Sequence, residues 1–207
     1  MSILVGKKAP DFTVPAVLAD GQIVDSFNLA ETIKGKYAIV FFYPLDFTFV
    51  CPSEIIAMSH RMDKFREMGV EVIGVSIDSH FTHNAWRNTP VEQGGIGAVE
   101  YTLAADMDHA IAKAYGIESE GGDSYYPAGV AMRASFVIDQ KGIVRSQVVN
   151  DEPIGRNMDE LVRVVDALQF FEEHGQVCPA GWNKGDKGMT TSPEGVAAYL
   201  SESAKSL

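Results

Sequence analysis

Two side chains in this sequence are candidates for nucleophilic or redox chemistry, Cys51 and Cys178. Cys51 sits in the string Pro44-Leu45-Asp46-Phe47-Thr48-Phe49-Val50-Cys51-Pro52-Ser53-Glu54. Proline directly after the cysteine suits the first turn of a helix, where its missing N–H would have no partner anyway. Apolar residues at Ile55, Met58, Met62 and Phe65 then follow at helical spacing, with Gly69 as the stop. A cysteine at a helix start is favoured as the thiolate, its nucleophilic form, because the free N–H groups and the helix dipole attract an anion. A cysteine serving only as a small buried hydrophobe has no need of the proline-framed loop. Thr48, three residues before Cys51, is within reach of a thiolate or a substrate oxygen, or it caps the next turn. Glu54 falls in the first turn, where a carboxylate also suits the dipole.

The elements that must position Cys51 lie on either side of it. Residues 37–43 are a short, continuous β-branched and aromatic run that Pro44 ends, the pattern of a strand buried on both faces. Residues 70–77 repeat the pattern, so strand, helix and strand form a βαβ unit. Upstream, Pro10 and Pro15 keep the chain extended, Asp20-Gly21 marks a hairpin, and a short helical segment runs from Leu29 to near Gly35. Downstream, residues 80–87 open a helix broken at Pro90, and residues 108–115 form another ended by Gly116. Residues 118–127 read as a loop. Arg133 precedes a strand over 134–138, which turns at 139–142 and returns over 143–149. An arginine at such a strand edge is usually a surface residue. Asn157 with Glu160 forms a capping box for a helix that ends at Gly175. Beyond it, Pro179, Gly181, Gly185 and Gly188 describe an extended arm that carries Cys178 and closes in a short helix over 193–203.

Composition narrows the function. A chain of 207 residues with 46% hydrophobic content is an ordinary globular protein. A net charge of −11 argues against nucleic acid or an anionic membrane as a partner. No apolar run approaches the roughly 18 residues that span a bilayer, and residues 1–8 lack the apolar stretch of a signal peptide. A cytoplasmic, reducing location is expected. The two cysteines are far apart in sequence, so there is no Cys-x-x-Cys site. His80 and His83 at i, i+3 lack a third metal ligand nearby. The run from Gly94 to Gly97 has no leading strand and no Gly-Lys-Ser/Thr, so it is no phosphate loop. No metal and no cofactor is expected.

The string around Cys51 resembles the peroxidatic motif of peroxiredoxins, Pro-x-x-x-Thr/Ser-x-x-Cys, with Pro44, Thr48 and Cys51 matching position by position. The fuller string is similar to the typical 2-Cys branch, and the likeness runs from about Val5 to Tyr199. It implies a thioredoxin-like α/β fold, a central mixed sheet flanked by helices, with a thioredoxin-like domain over 3–165 and a C-terminal helix and arm over 166–207. It implies a thiol peroxidase in which Cys51 attacks hydrogen peroxide or an organic hydroperoxide and Cys178, in a Val-Cys-Pro-Ala-Gly-Trp string like the resolving motif, closes a disulfide between subunits. Arg133, in Arg-Ala-Ser-Phe-Val-Ile-Asp, is by resemblance the cation beside the sulfur. Pro44 would then shield the site, Thr48 and Arg133 orient the peroxide, and Glu54 support Arg133. The partners implied are a second subunit, a ring of five dimers with contacts near Phe81, Thr82 and His83, and a reductant that is thioredoxin or a dedicated flavoprotein. Gly94 to Gly97 is similar to an element of oxidation-sensitive relatives, whereas Leu200, after Tyr199, departs from their Tyr-Phe. A thioredoxin-type reductase, a one-cysteine peroxidase and a ring-forming holdase chaperone are the competing readings; the missing Cys-x-x-Cys weighs against the first.

Overall fold

A computed structural model describes residues 3–205. Met1 and Ser2 of the stretch read for a signal peptide, and Ser206 and Leu207 of the expected arm, lie outside the described residues. In chain order, β1 (Thr13–Val17) and β2 (Ile23–Asn28) form an antiparallel hairpin, with Gly21 at φ +89° in its turn. The Asn28 side chain caps α1 (Leu29–Thr32) by accepting from Glu31 N. β3 (Tyr37–Phe42) leads to α2 (Cys51–Ser59), α3 (Met62–Glu67) and β4 (Val70–Ser76). Then come α4 (His80–Asn88), β5 (Thr102–Ala105), α5 (Ala110–Ala114), β6 (Arg133–Ile138) and β7 (Val144–Asn150), followed by α6 (Met158–His174) and α7 (Pro193–Ser203).

The strands join in one mixed sheet, β2-β1-β5-β4-β3-β6-β7. β3 is an inner strand, parallel to β4 and antiparallel to β6, which explains why all six of its residues are buried and apolar. β3, α2, α3 and β4 are the expected βαβ unit, and this is the thioredoxin-like fold expected from the sequence.

Two local features differ from expectation. The helix after Cys51 is not continuous to Gly69. At His60 and Arg61 it leaves helical geometry (Arg61 φ −107°, ψ 2°) before α3 starts. Apolar spacing alone hides such a break, because Met58 before it and Met62 after it are both buried. β5 was not expected: Thr-Leu-Ala-Ala is too short to show a strand pattern and is held in place by pairing with β4 on one side and β1 on the other.

The chain divides between Met158 and Asp159 into two compact units. The first holds the sheet and α1 to α5. In the second, the arm is ordered by its own contacts: Trp182 packs on Phe170 with ring centroids 4.9 Å apart, and Val177 bridges to Met189. None of the helices among the described residues is long and apolar enough to cross a membrane.

Candidate active site

Cys51 is the first residue of α2 and is 0% exposed. Val50 serves as its N-cap without a side-chain bond, and its carbonyl accepts from Ser53 N at 3.1 Å and Glu54 N at 3.3 Å. The loop from β3 to Cys51 is tied down along its length. Tyr43 N donates to Val75 O at 3.1 Å, and Asp46 N donates to Asp78 Oδ2 at 2.8 Å. Pro44 is buried, and Phe47 takes a left-handed φ of 53°, which few side chains other than glycine adopt readily. The Thr48 hydroxyl donates to Leu45 O at 2.8 Å, a bond within its own loop, which leaves its oxygen as an acceptor.

Behind this loop lies a buried polar cluster. Asp46 accepts from Tyr43 Oη at 2.9 Å and pairs with His83 Nδ1 at 2.7 Å, and His83 Nε2 is 3.3 Å from Ala104 O. Burial pushes the Asp46 carboxyl up despite the His83 bond. The expected contact stretch is therefore split between two faces: Phe81 is 67% exposed, Thr82 is half-buried, and His83 is 0% exposed and faces inward. Helical periodicity explains the split. His80, His83, Trp86 and Arg87 share the buried side of α4, and Phe81 lies off it.

Arg133, at the start of β6, is 0% exposed, not the surface arginine that a strand edge suggests. Its Nη1 donates to Cys51 Sγ at 3.2 Å and to Glu54 Oε2 at 3.0 Å. Its Nε donates to Glu152 O at 2.6 Å, and its Nη2 to Glu152 Oε1 at 3.3 Å. Its backbone N–H donates to Tyr126 Oη at 2.7 Å, and Tyr126 donates on to Asn150 O at 2.9 Å. Burial alone would lower the arginine, but its bond to Cys51 and the charges of Cys51 and Glu54 raise it above its ordinary value. Burial pushes Tyr126 up to about 12, so it stays a neutral hydroxyl.

Glu54 is buried with a second guanidinium. Burial pushes its carboxyl up, but hydrogen bonds and charge from Arg156, with the charge of Arg133, outweigh that and hold it below the usual carboxylate range. Arg156 also donates from Nη1 to Ala134 O at 2.6 Å and to Ser135 Oγ at 3.1 Å, and it lies 5.5 Å over the Phe41 ring. Phe41 has room for this because β4 carries Gly74 opposite it. A Cβ there would meet Leu103 Cδ2 at 2.9 Å and the Phe41 ring at 3.1 Å.

The arrangement fixes a buried guanidinium, held by Glu54 and Glu152, 3.2 Å from the Cys51 sulfur, where it can donate a charge-assisted hydrogen bond. Sequence reasoning missed Arg156, Glu152 and Tyr126. Arg156 follows Gly155 just before a helix cap, with no local motif tying it to Cys51, and Glu152 acts partly through a backbone carbonyl that no sequence pattern reveals.

Cys178 lies in the second unit, half-buried, with Sγ 3.4 Å from Ala167 O. Neither cysteine is in a disulfide. Burial pushes the Cys178 thiol up from its ordinary value, opposed by the charge of Arg163.

Residues 5–147 match the AhpC/TSA family, and residues 167–202 match the C-terminal domain of 1-Cys peroxiredoxin. The chain is 51% identical over 202 residues to alkyl hydroperoxide reductase C of Helicobacter pylori, covering 98% of both. It is 48% identical over 198 residues to peroxiredoxin-1 of Gallus gallus, covering 96% of both. The reduced crystal structure of Plasmodium vivax 2-Cys peroxiredoxin superposes with a TM-score of 0.89 at 46% identity, over 97% of this chain and 100% of that one. The chain belongs to the AhpC/TSA family and is a peroxiredoxin, a thiol-dependent peroxidase.

Proposed function

We propose that Cys51 is the peroxidatic cysteine and that the substrates are hydrogen peroxide and organic hydroperoxides. The Cys51 thiolate attacks the terminal peroxide oxygen, the O–O bond breaks, and the departing oxygen takes a proton to leave as water or alcohol. The sulfur becomes a sulfenic acid. The observation that carries this reading is the Arg133 Nη1 to Cys51 Sγ contact at 3.2 Å, with Glu54 on the same nitrogen. Arg133 stabilises the thiolate and binds the peroxide oxygens, Thr48 offers its oxygen to the peroxide O–H, Pro44 shields the sulfur, and Glu54 fixes Arg133.

Cys178 of the partner subunit then attacks the sulfenic sulfur, expelling water and forming an intersubunit disulfide. Its position within Val-Cys-Pro-Ala-Gly-Trp supports this role over that of an incidental thiol. An external dithiol, thioredoxin or a dedicated flavoprotein reductase, restores both thiols by exchange. The functional assembly is a homodimer, built into a ring of five dimers through the surface around Phe81 and Thr82, in the cytoplasm. The catalytic unit covers 3–165 and the C-terminal helix and arm cover 166–207. A holdase activity of the same ring is a second property to be assayed. Sensitivity to over-oxidation is intermediate: the Gly94–Gly97 element favours it, and Leu200, 43% exposed, weakens it.

Non-reducing electrophoresis tests the scheme. Peroxide should convert the wild type to a covalent dimer, and Cys51→Ser or Cys178→Ser should each abolish that band. Unchanged peroxide consumption by Cys51→Ser would refute the assignment. Coupled assays with thioredoxin and with a flavoprotein reductase identify the reductant, and mass spectrometry after peroxide titration measures sulfinic acid.

A further inference from the structure

We infer that Glu152 selects substrates by charge, so that the site accepts uncharged hydroperoxides and disfavours those bearing a carboxylate near the O–O group. This rests on the peroxidase reading of Cys51.

Arginine offers five N–H donors in a fixed fork. Among the described residues, Arg133 uses Nε on Glu152 O, both Nη1 protons on Cys51 Sγ and Glu54 Oε2, and one Nη2 proton on Glu152 Oε1. The second Nη2 proton is left for an incoming oxygen, and it lies beside the Glu152 carboxylate. The two sides of that guanidinium differ. Glu54 is 2% exposed and already saturated by Arg156, whereas the Glu152 side chain is 34% exposed and meets solvent. A substrate reaching Arg133 from solvent therefore meets Glu152.

Charge at the site is unbalanced once the sulfur is ionised. The thiolate, Glu54 and Glu152 face two cations, Arg133 and Arg156. Next to Glu152, Asp151 accepts from Ser124 Oγ at 2.7 Å and is held below the usual carboxylate range by that bond. A neutral hydroperoxide brings an O–H that can donate to Glu152. An anionic one brings a further negative charge to a site where, among the described residues, Arg133 and Arg156 are already paired with Glu54 and Glu152. Charged rims of this kind alter encounter rates by tenfold or more at low ionic strength, an effect that salt removes.

The test uses a matched pair, 4-hydroperoxy-4-methylpentanoate and its methyl ester, which share one peroxide group and differ in charge. Stopped-flow rates of Cys51 oxidation are measured for both, with hydrogen peroxide as a reference. In the wild type at low salt, the ester should react about tenfold faster than the acid, and about 0.5 M salt should bring the ratio near its value in free solution. In Glu152→Gln the ester-to-acid ratio should fall to about twofold at low salt. The ratio is internal to each protein, so a general loss of rate in the variant does not mimic the result, and the salt dependence of the wild type needs no variant at all. A salt-independent ratio in the wild type, or the same ratio in Glu152→Gln, overturns the charge filter while leaving the peroxidase intact. Failure of wild-type Cys51 to react with hydrogen peroxide overturns the underlying reading instead.

Discussion

Arg156 grips Glu54 through three hydrogen bonds, from its backbone N at 2.7 Å and Nε at 2.8 Å to Oε1, and from Nη2 at 2.9 Å to Oε2. Glu54 in turn holds Arg133, and Arg133 faces the sulfur. The geometry at Cys51 thus depends on an arginine that does not touch it. Replacing Arg156 with alanine should lower the rate constant for Cys51 oxidation by about ten- to a hundredfold, in line with losing one fixed donor or positioning group. Stopped-flow oxidation by hydrogen peroxide measures it. A rate within twofold of wild type would mean that Arg133 holds its place without Glu54's second partner.

Glu54 should also shape the acid limit of stability. Its folded-state carboxyl is depressed below the ordinary 4.5, so its contribution is fully present above that value and is lost as pH falls through the depressed one. Urea unfolding from pH 7 to pH 2 should show stability dropping below about pH 4.5 in the wild type, and a shallower drop in Glu54→Gln. Glu54→Ala, which leaves two buried guanidinium groups without their acceptor, should cost about 3–5 kcal/mol at pH 7.

The far end of the first helical turns is clamped. Tyr101 Oη donates to Ile55 O at 2.8 Å, and Glu100 N donates to Ser59 Oγ at 3.2 Å. The proposed disulfide would require Cys51 to leave its helix, and this clamp would oppose that step. Tyr101→Phe removes one hydrogen bond, worth about 1 kcal/mol, and should speed disulfide closure about fivefold while reducing sulfinic acid at a given peroxide dose. Identical closure rates in the two proteins would show that unwinding stops short of Ile55.

Resolution should depend on pH through Cys178. Its thiol is raised above the ordinary 9.0 by burial, so the attacking thiolate is scarce at neutrality and grows as pH rises. Closure after a stoichiometric peroxide pulse should accelerate from pH 7 to pH 9.5. Arg163 lowers this thiol by its charge, so Arg163→Gln should slow closure at pH 7 by a few-fold and leave more sulfinic acid. Mass spectrometry of quenched samples gives both quantities.

The exposed aromatics Phe81 (67%), Phe47 (52%) and Phe49 (95%) lie on α4 and on the loop before Cys51. Under the proposed ring assembly, Phe81 lies in the contact between dimers. Phe81→Glu should shift the protein from a ring to dimers in sedimentation velocity experiments. A ring of unchanged stability would move the interface elsewhere.

The βαβ unit and the position of Cys51 were legible because each rests on local signals: a buried apolar run, a proline after the cysteine, and a stop glycine; the mixed sheet as a whole was reached through the family resemblance. The kink at His60 and Arg61 was not, since both halves bury apolar residues at compatible spacing. β5 escaped because its strand character comes from its neighbours and not from Thr-Leu-Ala-Ala. The site was half legible. Cys51, Thr48 and Glu54 lie in one string, and Arg133 was reached only through a family motif. Arg156, Glu152 and Tyr126 converge on Arg133 and Glu54 by topology, at sequence distances where composition carries no information. Cys178 was legible by motif, while the environment of its thiol came only from the packing of its arm.

The burial of Cys51 at 0% exposure also sets an order of visitors. With the sulfur fully buried, even a peroxide reaches it only when the wall around it moves aside. Another cysteine must bring its Cα within roughly 4.4–6.8 Å, which the folded first turn forbids. In the proposed cycle, the time an oxidised Cys51 spends out of reach of a second cysteine is then the time that one helical turn needs to open.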